Sequence, residues 1–156
     1  MSNTSASIRD RAEQLLARYC SLLDADRLED WCGLFAEAGR YRVLSRENEA
    51  QGLPGAILLL ENRAMVLDRV TALRQAAVYN AHFARHFYSA LQAQMEGDQV
   101  RFTANVGVYQ SDPDGHTRLF CVGEYRGLLA AEGPPLLEMD VVIDTFAVPT
   151  LMAVPV

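Results

Sequence analysis

Gln99–Gln110, QVRFTANVGVYQ, alternates without a break. Val100, Phe102, Ala104, Val106 and Val108 share one face, and Arg101, Thr103, Asn105 and Tyr109 share the other. A period of two marks a strand with one face buried and one face wet. Three more such runs flank it: Arg85–Met95, Thr117–Leu129 and Leu136–Phe146. In the last, Leu137, Met139, Val141 and Ile143 alternate with Glu138, Asp140 and Asp144. The separators Glu96-Gly97-Asp98, Asp112-Pro113-Asp114-Gly115 and Glu132-Gly133-Pro134-Pro135 carry strong turn chemistry. The second half of the chain therefore reads as an antiparallel meander.

Upstream the period changes. Residues 1–6 read as a disordered lead, and Ser7 is a candidate N-cap. Ile8, Ala12, Leu15, Leu16, Tyr19, Leu22 and Leu23 then recur at helical spacing. Asp24 and Asp26 break that helix, and Asp26 is placed to cap a short second one, Arg27–Phe35, whose apolar face is Leu28, Trp31, Leu34 and Phe35. Gly39 opens a first strand, Tyr41–Ser45, and a polar loop runs on to Pro54. Ile57–Leu60 is ambiguous between strand and helix lead-in. Asn62 caps a third helix reaching about Ala76, with Val66, Val70, Leu73 and Ala77 on its core stripe. Helices first and strands after give a single α+β domain over 1–156, with helices on one face of a bent sheet. A curved sheet with helices in its concavity leaves a cone. That plan resembles the nuclear-transport-factor-2-like (cystatin-like) class, and a fold by itself assigns no activity.

Composition narrows the function. The chain has 156 residues, half of them hydrophobic, with 20 acidic and 14 basic side chains and a net charge of −6. An acidic chain lacks the broad phosphate-neutralising surface of a nucleic-acid binder. The N-terminal MSNTSASIRDR carries no apolar signal region, and no apolar run approaches the roughly 20 residues of a membrane helix, so the expected location is cytoplasmic. Cys20, Cys32 and Cys121 form no Cys-x-x-Cys or Cys-x-His pair, so neither a zinc site nor a Rieske cluster assembles from them. They read as buried thiols in a reducing compartment.

Few residues offer chemistry. His82 and His86 sit four apart, but at a helix-to-sheet crossover where helical spacing fails, and no acidic neighbour completes a metal set. His116 lies beside an Asp-Gly turn and reads as exposed. In a cone, Asp24 or Asp26 could orient His82 or His86 as a general base, with Tyr19 or Tyr41 polarising a carbonyl. Any domain of this class contains an Asp, a His and a Tyr, so the signal is unspecific. There is no nucleophile elbow and no phosphate loop. Tyr19, Trp31, Phe35 and Tyr41 fit core positions. All 14 basic residues are arginine. Arginine suits packed ionic interfaces, which draws attention to Arg46, Glu47, Arg63, Asp68, Arg69 and Arg74. The tail, Leu151-Met152-Ala153-Val154-Pro155-Val156, is too apolar for a frayed end, and Pro149 and Pro155 bar it from helix or central strand. Its burial site is either a neighbouring copy or the open end of its own cone.

Several motifs stand in a recognisable order: Tyr19 and Leu22-Leu23-Asp24; Trp31 and Phe35; Tyr41, Arg46-Glu47-Asn48 and Gly52-Leu53-Pro54; Met65, Asp68-Arg69-Val70 and Leu73-Arg74; Tyr79 and Arg85-His86; Gly123-Glu124-Tyr125 and Asp144-Thr145; and the tail itself. In order and spacing the chain resembles the beta (small) subunit of bacterial aromatic-ring-hydroxylating, Rieske non-haem iron dioxygenases, most closely the members acting on aryl carboxylates. RHFYSALQ after the third helix departs from the pattern, which puts local contacts there in doubt.

The resemblance implies a structural subunit in an alpha3beta3 complex with beta–beta contacts. The Rieske [2Fe-2S] cluster and mononuclear Fe(II) would belong to the large alpha subunit, and a separate reductase would deliver electrons from NAD(P)H. It implies no catalytic, cofactor-binding or metal residue in this chain. The candidates for subunit contact are Arg46, Glu47, Asn48, Leu53, Asp68, Arg69, Arg74, Arg85, His86, Leu151 and Met152. Two rivals stay open: a stand-alone isomerase or dehydratase using a Tyr/His/Asp pocket, and a small-ligand binding module. A cone filled by Leu, Val, Phe and Met would exclude both.

Overall fold

The structure is a computed structural model describing residues 2–75, 81–145 and 152–156, with side chains from Ser7 onward. Ala76, Ala77, Tyr79, Phe146, Pro149 and Leu151, named above, lie outside the described residues.

Helix α1 (Ser2–Asp24) begins five residues before the Ser7 cap, so Ser7 lies inside it. Its stripe points inward as the spacing requires, with Ala12, Leu15, Leu16, Tyr19, Leu22 and Leu23 all buried. Asp26 does not cap the second helix. It adopts φ 55° and closes the first, because its amide donates to Leu23 O and the Arg27 amide donates to Leu22 O. That paired closure satisfies the last carbonyls of α1. Helix α2 is consequently shorter than expected, Leu28–Cys32, and lacks a side-chain cap. Phe35 belongs to the next strand.

Strand β1 (Phe35–Ser45) starts ahead of Gly39. At Gly39 it passes so close to the last strand that a Cβ would lie 2.5 Å from Leu136 O. The expected polar loop contains a helical turn, α3 (Arg46–Ala50), capped by Ser45 Oγ accepting from the Asn48 amide at 3.2 Å. Gly52, at φ 62°, ends it with the same paired closure seen at Asp26. Leu58–Leu60 resolves as a strand, β2. Asn62 caps α4 (Arg63–Gln75), its Oδ1 accepting from the Met65 amide at 2.9 Å.

The four runs become β3 (Phe83–Glu96), β4 (Gln99–Ser111), β5 (Thr117–Leu129) and β6 (Leu136–Ile143). They pair antiparallel in sequence order, as a meander should. β1 then joins β6 in parallel, giving the mixed order β2-β1-β6-β5-β4-β3. Register shifts at Ser89/Gln92 and Val108/Tyr109 bend the sheet into an unclosed curve. α1 packs across β3, and α2 and α4 close the other side. No helix among the described residues is long and apolar enough to cross a membrane.

Candidate functional site

The interior of the cone is aromatic. Tyr19, Trp31, Phe35, Tyr41 and Tyr125 are fully buried and meet edge to face, with ring centroids between 5.0 and 6.2 Å apart. Into this cluster runs the end of the chain. The hydroxyls of Tyr19 and Tyr41 donate to the Val156 backbone oxygen at 2.8 and 3.0 Å, and the Val156 amide donates back to the Tyr41 oxygen at 3.1 Å. Arg69 donates to Met152 O at 3.0 Å. Met152, Ala153 and Val156 are buried among the core side chains. Of the two burial sites open to the tail, the structure shows its own cone. Burial pushes the Tyr19 phenol well above its ordinary value, reinforced by Tyr41 and Tyr125 alongside. Burial raises Tyr41 too, and a hydrogen bond from Val156 only partly offsets it. Both remain hydroxyl donors at neutral pH, and both are committed to the tail.

Beside this plug lies an Asp–His pair. His86 Nδ1 stands 2.6 Å from Asp24 Oδ1, and the His86 amide donates to the same carboxylate at 3.1 Å. The last residue of α1 is thereby tied to β3. Of the combinations open to the sequence, Asp24 with His86 is the one that forms, because β3 faces that residue inward. The His86 side chain is 0% exposed, and its Nε2 has no hydrogen-bond partner among the described residues. Asp26 faces elsewhere, accepting from Arg74. His82 precedes β3, so the spacing of four does not stack it over His86. Among the described residues no three His, Cys, Asp or Glu side chains gather where a metal could bind. His116 is exposed, with Asp112 Oδ2 at 3.4 Å from its Nδ1.

The charged set divides. Arg74 is an intrachain brace, donating from Nε to Glu29 at 3.0 Å and from Nη1 to Asp26 at 2.7 Å, so α4 holds the α1–α2 corner. Arg69 holds the tail, as above. Arg46 lies 3.3 Å from Asp144 with its side chain 63% exposed. Glu47, Leu53 and Asp68 are exposed, and Asn48 is half-buried while its amide serves the α3 cap. Arg85 is exposed, 3.9 Å from Asp24. Met152 is buried within its own chain. The three thiols are buried and unpaired, and burial pushes Cys20 up to about 12 and Cys32 and Cys121 to about 11.

Sequence reasoning missed an aromatic group on the sheet's outer face. Phe87 and Tyr109 meet edge to face at 5.7 Å, both exposed. Tyr109 on the polar side of an alternating strand was the available signal. Phe87 carried a weaker one, because it lies where the strand run Arg85–Met95 overlaps the segment read as a helix-to-sheet crossover.

The SnoaL-like domain family model matches residues 4–131. The anthranilate 1,2-dioxygenase small subunit of Burkholderia cepacia is 35% identical over 143 residues, covering 89% of this chain and 88% of that one. The terephthalate 1,2-dioxygenase terminal oxygenase component subunit beta 1 of Comamonas sp is 33% identical, covering 89% and 92%. Among solved structures, a proposed aromatic-ring-hydroxylating dioxygenase beta subunit from Novosphingobium aromaticivorans superposes with a TM-score of 0.88 at 35% identity, covering 98% of this chain and 99% of that one.

Proposed function

Because this chain belongs to the SnoaL-like family and, within it, to the small subunits of aromatic-ring-hydroxylating dioxygenases, we propose that it serves as the accessory beta subunit of an oxygenase that hydroxylates an aryl carboxylate. The observation that carries the non-catalytic reading is the plugged cone. The two hydroxyls that the sequence offers to polarise a carbonyl, Tyr19 and Tyr41, are held by the Val156 backbone instead. Two relatives named for anthranilate and terephthalate support the substrate class.

The redox groups of such an oxygenase are assigned to the large alpha subunit, with three copies of each chain in the complex and NAD(P)H oxidised by a separate reductase. The donor set here does not fit a Rieske cluster or a mononuclear iron, since the described His, Cys, Asp and Glu side chains do not converge. Three unpaired, protonated thiols support a reducing, cytoplasmic setting.

A stand-alone isomerase or dehydratase has one observation in its favour, the Asp24–His86 pair. One experiment separates the two readings. The chain is purified alone and co-expressed with its large subunit, then both preparations are assayed for mass, iron content and hydroxylation of benzoate, anthranilate and terephthalate. The accessory reading expects no iron and no turnover for the chain alone, and a hydroxylating complex of both chains. Stoichiometric iron on the isolated chain, or no association with the large subunit, would overturn it.

A further inference from the structure

The two edges of the sheet are unlike. β2, at one end, is three residues long. β3, at the other, runs for 14 residues, and no described strand pairs with its free side. It also carries aromatic side chains into water, Phe83 at 73% and Phe87 at 58% exposure. A long, apolar edge strand with free amides and carbonyls is a template on which another strand can add.

The backbone itself spoils part of that edge. The register shifts between Ser89 and Gln92, and Ala90 takes φ 54°, so the strand bends there. Phe83–Ser89 remains regular, each residue facing one of Ser111–Asn105 in turn. Along an antiparallel strand, alternate residues turn their amide and carbonyl to the same side. The His86 amide points away from β4, because it donates to both oxygens of Asp24, at 3.1 and 3.2 Å. Ala84 and Tyr88 share that orientation, and His86 is the midpoint between Phe83 and Ser89. The Asp24 carboxylate therefore stands where an incoming strand would have to place a carbonyl. The imidazole holds it there, with Nδ1 2.6 Å from Oδ1, and the Asp24 side chain is 10% exposed.

Without that carboxylate the segment complements itself. A second copy pairing antiparallel about His86 sets Arg85 opposite Phe87 and Phe83 opposite Ser89, each twice by symmetry. No two like charges stand directly opposite in that register, and an arginine beside an aromatic ring attracts it.

We propose that Asp24 is an edge guard. Helix α1 ends on a carboxylate that occupies the central free amide of β3, and its charge and bulk keep a second copy of this chain from adding there as a strand. The role asks no chemistry of the Asp24–His86 pair, and it is independent of the accessory-subunit reading.

The test compares the full-length chain with Asp24→Ala and with Val66→Ala, a core truncation on α4 that weakens the fold and leaves the edge alone. Each is made with and without the pair Phe83→Cys and Ser89→Cys, whose thiols would meet across the joined edges. Sedimentation reads self-association. Non-reducing mass analysis, after exposure to oxidised glutathione below each melting temperature, reads the disulfide between copies. Expected for Asp24→Ala are at least tenfold tighter self-association than wild type and a disulfide-linked dimer, with neither change in Val66→Ala. Should Asp24→Ala fail to fold, Asp24→Asn, which leaves one oxygen to two donors, carries the test with the same expected direction. A folded Asp24 variant that associates no more than wild type would overturn the guard. So would association without the disulfide, which puts the contact elsewhere, or equal association in Val66→Ala, which traces it to instability alone.

Discussion

The hydroxyl of Tyr19 donates to the backbone oxygen of Val156 at 2.8 Å, across 137 positions of sequence. That bond, with its twin from Tyr41, fixes the end of the chain inside the cone and turns a potential pocket into packed core.

Removal of Met152–Val156 should therefore destabilise the fold rather than open a working site. Met152 and Val156 are buried, and each large apolar side chain so placed contributes about 1.5–3 kcal/mol before ordering costs. A fall in melting temperature and weaker assembly with the large subunit are expected. Calorimetry and sedimentation of the truncated chain decide it, and a truncation that melts like the full-length chain would show the tail to be dispensable.

Tyr19→Phe and Tyr41→Phe should each cost about 0.5–1.5 kcal/mol, the net worth of a hydrogen bond. The two donors share one acceptor, so the double variant should cost other than the sum of the singles. Urea unfolding of the four-member cycle measures that coupling.

Arg69→Ala should loosen the tail specifically. Its bond to Met152 O comes from a charged donor, a type worth about 1.5–3 kcal/mol. Hydrogen exchange should rise at Ala153–Val156 and stay unchanged at β4.

Asp24→Ala strips the buried His86 Nδ1 of its partner and should cost about 1–3 kcal/mol, whereas Asp24→Asn keeps an acceptor and should cost less. If the pair is structural, hydroxylation per assembled complex stays constant in Asp24→Asn. Loss of turnover by orders of magnitude in a fully assembled variant would support the dyad as chemistry instead.

Stability should fall on the alkaline side. Burial raises Cys20 from 9.0 to about 12, and Cys32 and Cys121 from 9.0 to about 11. Above pH 9 the unfolded chain releases these protons while the folded chain keeps them, so the contribution is whole below that pH and is lost as pH climbs through the folded values. Tyr19 and Tyr125 act with the same sign. Melting temperatures at pH 8 and pH 10.5 should differ accordingly, and the native thiols should resist a disulfide reagent at pH 8 until urea exposes them.

The pattern of residues determined much of this protein by local means. Alternation in Gln99–Gln110 needs only a pleated backbone and one wet face, so β4 was legible. Asn62 capping α4, the meander and its turns were legible for the same reason, because each is settled within a few residues.

The tertiary structure decided what depends on distant partners. Asp26 reads as a helix cap, but its left-handed backbone closes α1, and its side chain meets Arg74, 48 positions on. β1 pairs parallel to β6 across about a hundred residues, which no local period announces. The tail's apolarity was visible, and its seat against Tyr19 and Tyr41 was not, since the choice between its own cone and a neighbouring copy rests on how the sheet curves. Phe87 and Tyr109 likewise became a patch only when register set β3 beside β4. Hydrophobic pattern says which side chains leave water, and the sheet's path decides what they meet.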